Sequence, residues 1–113
     1  LSGLSTKKPF KGEATTIGVV ATNATLDKAQ ATRVAIAAQD GIARAIFPSH
    51  TPFDGDLLFS ISTADLKLND PTFDTLKIGH AAAQCVARAI ARAIYSAEPT
   101  DSDTLPCWSQ SFD

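Results

Sequence analysis

Three residues in this chain have the types for joint nucleophilic and acid–base chemistry. They are Thr15, in Glu13-Ala14-Thr15-Thr16-Ile17-Gly18-Val19-Val20, and the pair Asp54 and Asp56, in Phe53-Asp54-Gly55-Asp56-Leu57-Leu58. A threonine hydroxyl is a weak nucleophile and needs a base within hydrogen-bond reach. Cleavage of the chain directly before the threonine would create one. An α-amino group, with an ordinary pKa of about 7.7–8.0, can take the hydroxyl proton near neutrality and return it to a leaving amine. Neighbouring carboxylates could hydrogen-bond the amine and hydroxyl, orient them and raise the amine's pKa. Two carboxylates side by side also favour one of them keeping a proton and acting as donor. Each residue has a plainer reading too: threonine at the head of a strand serves β-propensity, and Asp-Gly-Asp before a strand is turn chemistry, with Gly55 supplying unusual backbone angles.

The elements that must position these residues are legible as periodicities. Residues 15–22 are β-branched and nearly continuously apolar, which predicts a strand covered on both faces. Asp27 precedes an amphipathic helix over 28–46, with Ala31, Val34, Ala38, Ile42 and Ala45 at helical spacing, Gly41 as a weak point and Pro48 as the stop. A loop with two prolines then delivers Asp54 and Asp56 to the mouth of a second strand over 57–63. Residues 64–71 read as turn-forming. A second helix over 72–97 presents Leu76, Ala83, Val86, Ile90 and Ile94 on one side. The tail from Glu98 lacks periodicity and reads as extended over a surface, anchored by Trp108. Alanine-rich helical faces that approach a sheet closely imply a layered α/β arrangement.

The two motifs together resemble the family of the DmpA aminopeptidases and the nylon-oligomer hydrolases. Members are made as inactive precursors that cut themselves into a large and a small subunit, the small one opening with a catalytic Ser or Thr. The pattern is nearest the nylon-oligomer branch, in which a Thr-Thr pair is followed about forty residues on by Asp-x-Asp; here Asp54 and Asp56 lie 39 and 41 positions after Thr15. The residue before the pair is Ala14, where the nylon-oligomer branch carries asparagine and the aminopeptidases glycine.

The resemblance implies cleavage between Ala14 and Thr15, with Thr15, Asp54 and Asp56 as catalytic residues and Thr16 as the runner-up nucleophile. It implies an α/β/β/α sandwich to which this chain contributes a strand-helix-strand-helix portion. Residues 1–14 would end the large-subunit region, 15–97 form the catalytic small-subunit region and 98–113 an extended tail. The implied activity is hydrolysis of 6-aminohexanoate oligomers or related linear amides. The alternatives are an aminopeptidase or D-aminoacyl esterase-amidase of the same family, and an uncut, non-catalytic interaction domain. The implied partners are the large subunit of the same precursor, supplying a lysine, an asparagine and other donors, further copies in a homo-oligomer of heterodimers, and a small amide or peptide substrate.

Composition narrows the remaining classes. The 113 residues are 44% hydrophobic with a formal charge of −2, enough apolar content for one modest domain or part of one. Such a balance leaves no basic footprint for nucleic acid, and no apolar run approaches the roughly 20 residues that cross a bilayer. The lead from Leu1 is polar and basic, without an export-type apolar stretch, and reads as a processed or truncated end. Cys85 and Cys107 form neither a metal-ligand spacing nor a disulfide framework, which favours a reducing compartment, the cytoplasm. No metal or cofactor is expected. His50 reads as a solvated or capping loop residue, His80 as a helix residue, and Asn23 as a turn former that could also donate to substrate.

Overall fold

In the computed structural model, which describes residues 14–110, the β-branched run forms strand β1 (Ile17–Ala24) and the second apolar run forms β2 (Leu57–Leu66). Residues 1–13 of the expected linker and 111–113 of the tail lie outside the described residues. The strands pair in parallel, from Ile17 opposite Leu57 to Thr22 opposite Ser62. Parallel neighbours need a crossover, here the helices α1 (Lys28–Ala38) and α2 (Asp40–Ala45). The long helix α3 (Pro71–Ser96) follows, and a short 3-10 turn, Trp108–Gln110, ends the described chain. The result is a mixed α/β arrangement of the kind that makes up part of a layered sandwich.

Helices cover one face of the sheet. Val34, Ala38 and Ile42 from the crossover, Leu58 from β2, and Ala82 and Val86 from α3 form the buried cluster, with Val20 and Leu26 packed against it. The opposite face carries Ile17, Val19, Phe59 and Ile61, all at least half exposed. The expected two-sided cover of the first strand is therefore present on one side only among the described residues.

Local chemistry sets the element ends. Asp27 caps α1 by accepting the Gln30 N–H at 2.7 Å, while the Gln30 side chain accepts the Asp27 N–H, a capping box. Asp70 caps α3 and Pro71 stands in its first turn, where a missing N–H costs nothing. The single helix expected over 28–46 divides at Gln39, whose N–H is shared between the Ala35 and Ile36 carbonyls, while the Ile42 N–H bonds back to Gln39 over the shorter three-residue span. Gly41 follows the break, in the first turn of α2. A Cβ there would overlap the Ala83 carbonyl and lie 2.7 Å from Val86 Cβ, so only glycine lets α2 seat this closely on α3.

β2 runs past the expected end at Thr63 because the residues read as turn-forming are held by an irregular register. Ser62 Oγ donates to the Ala24 carbonyl at 2.6 Å and accepts the Leu26 N–H, and the Thr25 N–H reaches the Leu66 carbonyl at 2.7 Å. Ala64, at φ 59°, turns the strand through the bulge. At the other end of the chain, Trp108 packs its ring 4.9 Å from that of Tyr95, as its expected anchoring role requires.

Candidate active site

The strand pairing extends backward from Ile17, and this extension builds the site. The Leu57 N–H donates to the Thr16 carbonyl at 2.9 Å and the Gly55 N–H to the Ala14 carbonyl at 2.8 Å. The Ala14 N–H donates in turn to the Phe53 carbonyl at 3.2 Å, so Ala14 pairs with Asp54 as an isolated parallel bridge. Two segments forty positions apart are thereby zipped together, with the Ala14–Thr15 peptide lying along the Phe53–Asp56 backbone.

Asp56 grips this segment through its side chain. Its carboxylate, 5% exposed, accepts the Thr16 N–H on Oδ1 at 3.0 Å and the His50 N–H on Oδ2 at 3.0 Å, with His50 Nδ1 3.4 Å from the same Oδ2. His50 makes that contact from the left-handed region, at φ 55°, a conformation that costs a non-glycine residue about 1–2 kcal/mol. The Asp56 carboxylate offsets this cost with a charge-assisted hydrogen bond.

Asp54 is held separately. It accepts the Thr51 N–H and the Thr51 hydroxyl, each at 2.8 Å, while its own N–H returns to the Thr51 carbonyl. These bonds, the backbone one first, hold its carboxyl below the ordinary value of 3.8 against a small opposing effect of desolvation, with the His50 charge adding a little. Asp54 is accordingly ionised at neutral pH, and the shared proton expected of the pair does not fall on it.

Thr15 is exposed, and its hydroxyl lies over Gly55: a Cβ at residue 55 would stand 2.9 Å from Thr15 Oγ1. The backbone of Gly55 is not in the left-handed region, so glycine is here for space rather than for unusual backbone angles. Ala14, Thr15, Asp54 and Asp56 are thus brought to one place. The hydrogen bonds of the two carboxylates go to Thr51, Thr16 and His50 rather than to the Thr15 hydroxyl. Asn23 lies at the far end of β1, and His80 is exposed on α3 beside Gln84, both away from this cluster. Among the described residues no group of three or more His, Cys, Asp or Glu is placed to hold a metal ion, and no helix is long and apolar enough to cross a membrane.

The geometry adds four participants that residue types alone did not reveal: the Gly55 N–H, the Phe53 carbonyl, Thr51 and His50. Thr51 carried a signal, since Thr-x-x-Asp is the spacing of a side-chain-to-backbone turn. The two backbone groups carried none, because a main-chain donor is visible only once strand register is known. Chemically, the arrangement presents a peptide carbonyl already hydrogen-bonded to an N–H, beside an accessible hydroxyl, with the following amide fixed by a carboxylate.

Among known proteins, the sequence model of peptidase family S58 matches residues 2–105. An uncharacterized aminopeptidase of Mycobacterium leprae is 43% identical over 102 residues, 81% of this chain and 28% of that protein. Uncharacterized aminopeptidases of Mycobacterium bovis and Mycobacterium tuberculosis H37Rv are each 42% identical over 95 residues, 75% of this chain. The chain spans 28% of the length of each of these relatives.

Proposed function

Since this chain belongs to peptidase family S58, we propose that it carries the nucleophilic part of an amide hydrolase that cuts its own Ala14–Thr15 bond and then turns over substrate with the freed Thr15. The observation that carries this reading is the Ala14–Thr15 peptide itself, its carbonyl on the Gly55 N–H and its neighbouring amide on Asp56. In the first reaction Thr15 Oγ attacks the Ala14 carbonyl carbon, the C–N bond breaks, and the hydroxyl proton ends on the Thr15 nitrogen. The product is an ester of Ala14 on Oγ with a free α-amine beside it. Water hydrolyses that ester, leaving Thr15 with hydroxyl and amine. In turnover the amine takes the Oγ proton and hands it to the leaving amine of the substrate.

Asp56 and Asp54 act in this scheme by fixing the Thr15–Thr16 segment and the loop opposite it. Residues 15–97 are then the catalytic small-subunit region, and the remaining donors come from a large subunit of the same precursor, with higher assembly as a homo-oligomer of these pairs. For substrate, the names of the relatives favour release of N-terminal residues from peptides or simple amides. Hydrolysis of 6-aminohexanoate oligomers is the second reading, supported by the Thr15–Thr16 pair and the spacing of Asp54 and Asp56. Intact-mass analysis of the full-length polypeptide tests the mechanism: a subunit beginning at Thr15 is expected, and full activity with residue 14 still attached to Thr15 would overturn it. Comparing kcat/KM for amino-acid p-nitroanilides with that for 6-aminohexanoate oligomers decides the substrate.

A further inference from the structure

We propose that His50 is a positioning residue for the nucleophile: it holds Asp56 Oδ2, which keeps Oδ1 on the Thr16 N–H and so fixes the segment carrying the Thr15 hydroxyl. The inference rests on the hydrolase reading above and adds one side chain to it, at a residue whose sequence reading was a solvated or capping loop histidine.

Thr15 lies outside β1, which starts at Ile17, and it is held from both sides. On one side Ala14 is bridged to Asp54. On the other, the Thr16 carbonyl accepts the Leu57 N–H at 2.9 Å and the Thr16 N–H donates to Asp56 Oδ1 at 3.0 Å. Self-cleavage removes the covalent link to Ala14. From then on, among the described residues, the two bonds of Thr16 place a chain-terminal Thr15, and one of them runs through the Asp56 carboxylate. A carboxylate tied by one oxygen still turns about its last torsion, which has broad minima. Tying the second oxygen stops that rotation. Among the described residues both contacts to Oδ2 come from His50, its N–H at 3.0 Å and its Nδ1 at 3.4 Å, on a side chain only 5% exposed.

The backbone of His50 is part of the device. At φ 55° its N–H and its ring meet the same oxygen, in a region that glycine enters freely and asparagine tolerates. These two residues separate the contributions. Glycine keeps the N–H and loses the ring. Asparagine keeps the N–H and carries an amide nitrogen on Cγ, the place of the imidazole Nδ1. At 3.4 Å the ring nitrogen is within ion-pair reach but longer than a tight hydrogen bond, so its effect is that of one modest contact. The ring faces the carboxylate, so His50 acts through Asp56 rather than as a base.

The test follows self-cleavage of the full-length polypeptide, with the melting temperature measured in parallel. His50→Gly is expected to slow self-cleavage by on the order of ten-fold, the effect of one such contact, and His50→Asn to recover most of that loss. A wild-type rate in folded His50→Gly, or no recovery in folded His50→Asn, overturns the proposal. Should His50→Gly fail to fold, His50→Gln takes its place, since its amide lies one bond further out. In an Asp56→Ala background His50→Gly should add nothing, because the ring acts through that carboxylate; further slowing there would place its action elsewhere and overturn the proposal. Turnover is read on whichever of alanine p-nitroanilide and 6-aminohexanoate oligomers the wild type hydrolyses. His50→Gly should lower kcat by a similar factor and leave KM within about two-fold. A change confined to KM would make His50 a substrate contact and overturn the positioning role. Thr15→Ala separates this from the underlying reading: cleavage that survives it defeats the hydrolase mechanism itself, whereas a dead Thr15→Ala with an indifferent His50→Gly defeats the His50 assignment alone.

Discussion

Replacing Asp56 by asparagine keeps the side chain's size and removes one acceptor, and the structure says which bond suffers. The carboxylate now accepts an N–H on each oxygen, from Thr16 on Oδ1 and His50 on Oδ2. An asparagine has one carbonyl oxygen, so its NH2 must face either the Thr16 or the His50 donor, and a donor set against a donor is repulsive. A hydrogen bond to a charged group contributes about 1.5–3 kcal/mol, and this side chain is nearly enclosed, so water replaces the lost bond poorly. If the cost falls on the Thr16 side, the peptide after Thr15 is released, and 1.5–3 kcal/mol corresponds to a slowing of self-cleavage of about 10–150-fold at 1.4 kcal/mol per decade. If Asp56 also moves a proton, the slowing rises towards the 10²–10⁴ typical of acid–base groups. The assay is the rate of appearance of the two fragments on denaturing gels after synthesis, with the melting temperature followed in parallel. Self-cleavage at the wild-type rate in folded Asp56→Asn protein would rule out proton transfer by Asp56, and a wild-type rate also in folded Asp56→Ala protein, which keeps neither acceptor, would refute the grip on Thr16 as well.

Thr15→Ala is expected to abolish self-cleavage and hydrolysis together, while Thr16→Ala leaves cleavage at least partly intact; fragment analysis that reverses this order moves the nucleophile to Thr16. Gly55→Ala should slow self-cleavage by at least about ten-fold with little change in melting temperature, because relieving the 2.9 Å contact displaces Thr15 Oγ1 and even a 1 Å misplacement can cost 10²-fold. Asp54 should titrate below 3.8 when followed by carboxyl-carbon NMR, and Thr51→Val should raise its midpoint. Because its folded pKa is depressed, the stabilisation it provides is present above the unfolded value and is lost as pH falls through the folded one. Gly41→Ala should destabilise the protein by about 1–3 kcal/mol in denaturant titration, since the new methyl overlaps the Ala83 carbonyl.

The parts of this fold that were legible in the sequence are those written in local chemistry. Asp27 and Gln30, Asp70 and Pro71 announce helix starts, and the apolar runs after Thr16 and Asp56 announce the strands. Gly41 was read as a weak point, but the division at Gln39 was not legible, nor was the close approach of α2 to Ala83 and Val86 on α3, a contact over forty residues away. Nor was the continuation of β2 to Leu66, which rests on cross-strand bonds from Ser62 and Thr25. At the site, Thr15, Asp54 and Asp56 were singled out by type and by the resemblance of their two motifs, and the strand pairing brings those two motifs together. Their partners were not: Asp54 could have been set against Thr51 from spacing alone, but Asp56 meets Thr16 through the strand register and His50 through a loop residue in the left-handed region.

The open face of the sheet bears on what surrounds this site. Ile17, Val19, Phe59 and Ile61 project together from two paired strands, each between 50% and 63% exposed. A two-stranded sheet is marginal by itself, and an apolar face of this kind gains roughly 25 cal/mol for each Å² removed from water. This chain spans 28% of the length of its relatives, and the proposed large subunit would supply that cover. A second sheet packed there completes the sandwich in the proposed two-subunit enzyme. It would also bring groups alongside Ile17, two residues after Thr15. The proposed large subunit thus meets two needs at one place, burial of the exposed face and completion of the site. A partner that buried the face but left Thr15 uncovered would meet only the first.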